Sequence, residues 1–257
     1  MGYIQLLNKL EFFKNLFPPK KLSNPVDLSV IKCDIHSHFI PAIDDGSKSV
    51  ENSVEMIKHF YNLGIKKIIT TPHIMGDFYR NTPEIIWEGL EKVRHQLKME
   101  GIPVELGAAA EYYVDYEFEN KIDKEKLMTF GDNYVLIEIS YVNQPDNLDR
   151  VLFKLQTNGY KPVLAHPERY PFWFDNVGKF ESLFNNDIKL QLNINSLAGY
   201  YSPASRKLAE ELIDRNLVRF IGSDCHHTGH IDVLKQVVYS PYLKKLLESG
   251  LLLNPFI

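Results

Sequence analysis

Short apolar runs rich in Val, Ile and Leu alternate along the chain with longer stretches whose apolar residues recur every three or four positions. The first pattern suits strands buried on both faces, and the second suits amphipathic helices. Together they predict seven βα units. Strand one is expected over 30–38, followed by a loop containing Gly46 and a helix over 50–63 that stops at Gly64. Strand two (66–71) leads through a loop from Gly76 to Arg80 into a helix over 83–99. That helix opens on Thr82-Pro83, a capping residue followed by a proline at the first turn. Strand three (103–111) precedes an aromatic and acidic stretch, Tyr112 to Glu119, and a short helical piece. Strand four (134–139) pairs with a helix over 146–158 ended by Gly159, and strand five (162–166) with a helix over 176–186. Strand six (189–194) precedes a helix over 203–215, and strand seven (218–223) a helix over 232–248.

The apolar runs finish on residues that bind metals. Asp34-Ile35-His36-Ser37-His38 ends the first, and later runs end at His73, Glu111, Glu138, His166, and Asp224 with His226. Two histidines at i and i+2 of a strand share a face and offer two imidazoles to one ion. An open doubly wound sheet also fits the βα alternation. A closed ring is favoured because it alone brings so many strand ends to one centre, at the C-terminal face where such barrels carry their chemistry. The expected fold is α/β, a distorted seven-stranded (β/α) barrel over residues 30–257.

Residues 1–29 are expected to be an amphipathic helix and linker. Ile4, Leu6, Leu7, Leu10, Phe13, Leu16 and Phe17 fall at helical spacing with Lys9, Lys14, Lys20 and Lys21 among or after them, before a linker from Pro18 to Pro25. This segment suits a peripheral membrane anchor, a partner helix, or a helix packed on the barrel.

Composition narrows the function. A chain of 257 residues, 44% of them hydrophobic, can bury one large core, so one catalytic domain is expected. A net charge of −4 without a long basic block removes the electrostatic case for nucleic acid. Two cysteines, Cys33 and Cys225, make no disulfide scaffold and point to a reducing, cytoplasmic setting. Neither has the arginine six positions on that a cysteine-based phosphatase loop requires, since Phe39 and Ile231 stand there. No apolar run approaches the roughly 18 residues of a membrane span.

The candidate metal ligands are therefore His36, His38, Asp45, His73, Glu111, Glu138, His166, Asp224 and His226, with Asp44 beside Asp45 an equal possibility. This mixed oxygen and imidazole set suits Mn, Fe or Zn, with Mg also possible. Carboxylates at the ends of runs such as Val135-Leu136-Ile137 would bury charge at great cost without a compensating cation. A negative substrate also needs a cation, and Arg169, three residues past His166, is the best placed, with Arg80 second. Phe78, Tyr79, Tyr112, Tyr113, Tyr170, Trp173, Tyr200 and Tyr201 surround these loops and could hold a planar ring; Tyr112 and Tyr170 are singled out as substrate contacts. His227 and His230 follow strand seven and are open to supporting or substrate-contacting roles.

The motifs Asp34-Ile35-His36-Ser37-His38, Ile43-Asp44-Asp45-Gly46, Thr71-Pro72-His73, Leu136-Ile137-Glu138, Ala165-His166-Pro167-Glu168-Arg169-Tyr170 and Ser223-Asp224-Cys225-His226, with Glu111, resemble the polymerase and histidinol phosphatase (PHP) superfamily. Within it the chain resembles the bacterial capsule-type, manganese-dependent protein-tyrosine phosphatases of the CpsB, CapC and YwqE group. The resemblance implies three metal ions and hydrolysis of phosphotyrosine on tyrosine kinases that regulate capsular or exopolysaccharide assembly. It assigns His36, His38, Glu111 and Asp224 to one ion. Glu111 would bridge to a second, held by Glu138 and His166, and His73, His226 and Asp45 would hold the third. Arg169 would bind phosphate. A second arginine often follows the Ser-Asp-x-His motif in the family; here the chain reads His227-Thr228-Gly229-His230, which puts His230 forward as a substitute. A small-molecule phosphomonoesterase such as histidinol phosphatase, and a metal-loaded phosphoprotein-binding regulator, are the alternative readings.

Overall fold

The computed structural model describes residues 21–257. The amphipathic helix expected over 1–22 lies outside the described residues except for its last two. The strands are β1 (Cys33–Asp34), β2 (Lys67–Thr70), β3 (His73–Ile74), β4 (Glu105–Ala108), β5 (Glu111–Tyr113), β6 (Tyr134–Glu138), β7 (Lys161–Ala165), β8 (Lys189–Asn193) and β9 (Val218–Gly222). Around them lie α1 (Val50–Asn62), α2 (Pro83–Met99), α3 (Tyr116–Lys121), α4 (Leu148–Thr157), α5 (Val177–Asn185), α6 (Pro203–Asp214), α7 (Thr228–Val237) and α8 (Pro241–Leu247). The helix starts follow local chemistry. Ser49 and Ser202 each accept a hydrogen bond from the backbone N–H three residues on, at 3.2 and 2.9 Å.

Among the described residues every pairing of these strands is parallel, in a three-stranded sheet ordered β1-β2-β4 and a six-stranded sheet ordered β3-β5-β6-β7-β8-β9. Two of the expected strands are split in two. Strand two breaks around Thr71-Pro72, where proline has no N–H to donate, and strand three breaks at Ala109-Ala110. Hydrogen bonds from Ala109 N to Thr70 O (2.9 Å) and from Glu111 N to Pro72 O (3.1 Å) carry the pairing of these two staves across both breaks. The result has seven staves and is distorted, because β4 and β5 belong to different sheets.

Strand one differs from expectation. Residues 28–31 form a 3-10 turn capped by Asp27, which accepts from Ser29 N at 2.8 Å, and only Cys33 and Asp34 remain as strand. The seam between β1 and β9 is therefore closed by individual bonds rather than a ladder. Ser223 donates to Asp34 through N (3.0 Å) and Oγ (2.7 Å). Asp224 N donates to His36 O at 2.8 Å, and His38 N to Cys225 O at 3.0 Å. Below them the buried Asn254 donates to Cys33 O (2.9 Å) and Ile221 O (2.8 Å) and accepts from Ile221 N (3.0 Å). The last expected helix, 232–248, is also two helices, because Pro241 cannot continue the helix before it and instead begins α8 under a Ser240 cap.

Inside the ring, Cys33, Ile35, Ala109, Phe130, Leu136, Val163, Ala165 and Phe220 form a dry plug. Leu136 and Glu138 share a face of β6 by alternation, so this plug lies directly beneath the carboxylate end of the strands. A larger apolar layer packs between the strands and the helices. The described part of the expected linker is tied down as well: Leu22 N and Val26 N donate to the carbonyls of Tyr239 and Val238, just past α7.

Candidate metal centre

Residues at or just past the C-terminal ends of the strands build the site. His36 and His38 follow β1, His73 and Glu111 begin β3 and β5, and Glu138 ends β6. His166 and Asp224 lie immediately beyond β7 and β9. Both adopt the left-handed region, with φ of 34° and 49°. Such backbone costs about 1–3 kcal/mol for a non-glycine residue and persists where the surroundings enforce it. Here it turns the chain sharply off the strand and leaves both side chains over the plug.

All nine predicted ligands meet at this mouth. Their donor atoms fall into four overlapping groups: His38, Asp45, His73 and His226; His36, Glu111 and His166; His36, His38 and Asp224; His73, Glu111 and Glu138. Within each group the atoms lie within 4.8 Å of one another. Glu111 is central, with Oε2 at 3.1 Å from His36 Nε2 and 3.3 Å from His73 Nδ1, and Oε1 at 3.1 Å from His166 Nε2. Asp224 Oδ1 is 3.4 Å from each of His36 Nε2, His38 Nε2 and His226 Nδ1. Asp45 Oδ1 reaches His73 Nε2 at 3.5 Å and His226 Nε2 at 3.4 Å. Asp44 does something else. Its Oδ2 pairs with His38 Nδ1 at 2.9 Å and so leaves Nε2 facing the cluster.

The electrostatics of the cluster are set by its closely spaced carboxylates and imidazoles. Burial raises the carboxyl of Glu111, yet the neighbouring charges of His36 and His73 hold it well below the usual carboxylate range. The Asp224 carboxyl is likewise held low, against burial, by His36 and His226. Burial opposes protonation of His73, but the charge of Glu111 prevails and raises it to about 9. Asp44 raises His38 well above the ordinary histidine value in the same way. A second observation fits metal binding: the buried His73 Nδ1 lies 3.1 Å from Glu138 Oε1 and 3.3 Å from Glu111 Oε2 but is aligned with neither for a hydrogen bond. A buried imidazole nitrogen without a directed partner is costly in protein and ordinary beside a metal.

A family profile described as "Capsular polysaccharide synthesis, CpsB/CapC" matches residues 32–238, which contain all nine of these side chains. The chain belongs to the CpsB/CapC family. It is 32% identical over 195 residues to the tyrosine-protein phosphatase YwqE of Bacillus subtilis, covering 76% of this chain and 77% of that protein. It is 30% identical over 218 residues to the putative tyrosine-protein phosphatase CapC of Staphylococcus aureus, covering 84% and 86%. Solved structures of YwqE from Bacillus subtilis and CpsB from Streptococcus pneumoniae, described as unique metal-dependent tyrosine phosphatases, match this fold. That match has a TM-score of 0.72 at 31% identity, over 84% of this chain and 91% of the matched one. The CpsB/CapC chain described here carries a His, Glu and Asp cluster able to hold several metal ions.

Other predicted site residues of this CpsB/CapC member are placed differently. Arg169 sits at the mouth, with Nη1 donating to Asp224 Oδ2 at 2.6 Å. Arg80 is exposed and donates from Nε to Gly76 O within its own loop, at 2.7 Å. Tyr112 and Tyr170 are corrected: both rings are buried in the core, and their hydroxyls are used by the protein. Tyr112 Oη accepts from Met128 N at 2.8 Å, while Tyr170 Oη accepts from Ile139 N (3.2 Å) and donates to Ala165 O (3.0 Å). Each tyrosine follows a strand-end ligand or its loop, where sequence cannot tell an inward ring from an outward one. His230 is corrected as an arginine substitute. It is buried, its Nδ1 lies 3.2 Å from His226 N and 3.0 Å from Asp224 O, and burial beside His227 lowers it to about 4. A neutral ring turned to the backbone braces the Asp224–His226 turn and supplies no positive charge.

Two residues that sequence reasoning passed over support the centre. Gln191 on β8 pairs its Oε1 with His36 Nδ1 at 2.7 Å, and Asn193 Nδ2 donates to Asp224 Oδ2 at 2.9 Å. The signal was there, since both are polar residues in the otherwise apolar run Leu190-Gln191-Leu192-Asn193.

Proposed function

We propose that this chain is a metal-dependent phosphotyrosine-protein phosphatase acting on a bacterial tyrosine kinase of capsular or exopolysaccharide assembly. The observation that carries the reading is the convergence of five imidazoles and four carboxylates beside the Arg169 guanidinium at one barrel mouth. The named activity of the relatives supports the substrate class. His36, His38, Asp45, His73, Glu111, Glu138, His166, Asp224 and His226 would hold three ions. Their mixed oxygen and nitrogen donors favour Mn, with Fe, Zn and Mg as the other fits. Divalent ions bound there supply Lewis acidity to phosphoryl oxygens and lower the pKa of water.

The chain's own residues do the rest. Arg169 binds the phosphoryl group and stabilises the charge it carries as phosphorus is attacked. Gln191 and Asp44 orient His36 and His38 through the nitrogens that face away from the cluster. The buried plug below excludes water from that side. Phenolate is a fairly good leaving group, so the need for a dedicated general acid is modest. The catalytic unit is residues 30–257, in the cytoplasm, and residues 1–29 would bring it to the inner face of the membrane or to a partner. No helix among the described residues is long and apolar enough to cross a membrane.

Phosphate release from a phosphotyrosine peptide and from histidinol phosphate, with and without chelator and across added Mn, Fe, Zn and Mg, tests this reading. Metal-dependent release from the peptide in preference to histidinol phosphate is expected. Preference for histidinol phosphate would remove the substrate claim, and undiminished release from metal-stripped protein would remove the mechanism.

A further inference from the structure

Arg169 is held in a way its phosphate-binding role does not require. Its guanidinium lies over the ring of Tyr201, 4.0 Å from the centroid, and over the ring of Tyr141, 5.0 Å from the centroid. Both rings therefore contact the same guanidinium. The arrangement follows from strand order. Tyr141 follows β6, Arg169 follows β7 and Tyr201 follows β8, and these three strands are neighbours in the sheet.

Each ring is itself anchored to the site. The Tyr201 hydroxyl accepts from Asn193 Nδ2 at 2.8 Å, and the same amide nitrogen donates to Asp224 Oδ2 at 2.9 Å. Tyr141 stacks on the imidazole of His166, with centroids 5.8 Å apart and planes inclined by 22°. The Nη1 bond to Asp224 is the one hydrogen bond that the guanidinium makes among the described residues. The side chain keeps 20% of its surface exposed. Two aromatic rings lie against it and one corner is fixed, which leaves its remaining N–H groups for a ligand.

We propose that Tyr141 and Tyr201 are positioning residues, an aromatic clamp that holds the Arg169 guanidinium beside Asp224 with free N–H groups presented to a phosphoryl group. The proposal rests on the phosphatase reading for its substrate. An arginine left loose would lose side-chain freedom at each binding event, whereas a clamped one has already lost it.

The test uses the full-length, Mn-loaded protein and two readouts, steady-state kinetics on a phosphotyrosine peptide and calorimetric titration with inorganic phosphate. Tyr201→Leu is expected to raise KM and the phosphate Kd about tenfold while kcat changes much less and bound Mn is unaltered. Tyr201→Phe keeps the ring and recovers most of that loss, and Tyr141→Leu gives a smaller loss of the same kind. In an Arg169→Ala background, Tyr201→Leu has no further effect. Equal losses from Tyr201→Leu with and without Arg169, or a fall in kcat at unchanged KM, would overturn the clamp. If the wild-type protein releases no phosphate from the peptide, the phosphatase reading fails. The clamp then stands or falls on the phosphate titration, where equal affinity of wild type and Tyr201→Leu overturns it.

Discussion

His36 Nδ1 and Gln191 Oε1 lie 2.7 Å apart at the back of the metal centre, both fully buried. The amide oxygen only accepts, so Nδ1 carries the proton and Nε2 is left toward Glu111 and Asp224. Gly222 makes room for the pair: a Cβ there would lie 2.6 Å from His36 Cβ and 2.8 Å from Gln191 Nε2.

Gln191→Leu removes the acceptor while keeping an apolar fit. Loss of an outer partner of a metal-binding imidazole costs about 10- to 100-fold in metal affinity or activity. We expect a weakened metal site in competition titrations with a chromogenic chelator. Wild-type affinity in this variant would show that Gln191 merely fills space.

Glu111 reaches three histidines, at 3.1 Å from His36 and from His166 and 3.3 Å from His73. Glu111→Gln keeps the shape and removes the charge. Bound metal measured by elemental analysis should fall by at least one ion per chain. Phosphatase activity should drop more than about 100-fold, beyond the range for an outer partner. Full metal content would contradict the central place given to this carboxylate.

The metal-free protein should lose stability as pH rises. In the folded chain His73 sits at about 9 and His38 well above the ordinary value, against about 6.5 in an unfolded chain. A raised folded value contributes stability that is full below about 6.5 and lost as pH climbs through about 9. His166, lowered by burial and Arg169, opposes this in part. Glu111 and Asp224, both depressed, matter only at acid pH. Metal binding must displace these protons, so metal-loaded protein gains stability over the same interval. Thermal unfolding between pH 6.5 and 9, with and without metal, should show opposite slopes; parallel curves would refute the account.

Asn254 joins β1 to β9 where no ladder does, through three hydrogen bonds. Asn254→Ala leaves Cys33 O and the Ile221 backbone buried without these partners, at a cost of about 3 kcal/mol. Denaturant unfolding should register this loss, while activity per folded molecule stays unchanged because Asn254 bonds Cys33 and Ile221, each three residues before the ligands His36 and Asp224. A loss under about 0.5 kcal/mol would mean the other hydrogen bonds of the seam hold it without Asn254.

Burial pushes the Cys33 thiol up to about 12, and burial holds Cys225 well above its usual value too. Neither forms appreciable thiolate at pH 8. Iodoacetamide at that pH should leave phosphatase activity intact, and rapid inactivation would reopen a cysteine mechanism.

Much of the fold and of the site is legible in the sequence. Apolar runs ending in His, Glu or Asp predicted where the strands stop, and all nine predicted ligands do meet there. Helix boundaries such as Pro83–Met99 followed from a capping residue, a proline and a 3.6-residue period. Strand one is shorter than its apolar run predicts, because such a run does not reveal a 3-10 turn, and the helical spacing over 232–248 hides the break that Pro241 makes.

Local sequence determined which residue types stand at the strand ends, because burial on both faces and the need for turns act over a few neighbouring positions. It therefore settled the fold class and the metal-binding chemistry. Only the closed ring decided how those groups are used. Asp44 orients His38 while Asp45 enters the cluster, and Tyr112 and Tyr170 point into the core. His230 braces a turn, and Arg169 lies against two tyrosines from the loops that follow the two neighbouring strands. The physical reason is that side-chain direction at a strand end depends on the φ of one residue and on which strands are neighbours. Neither is encoded in spacing along the chain.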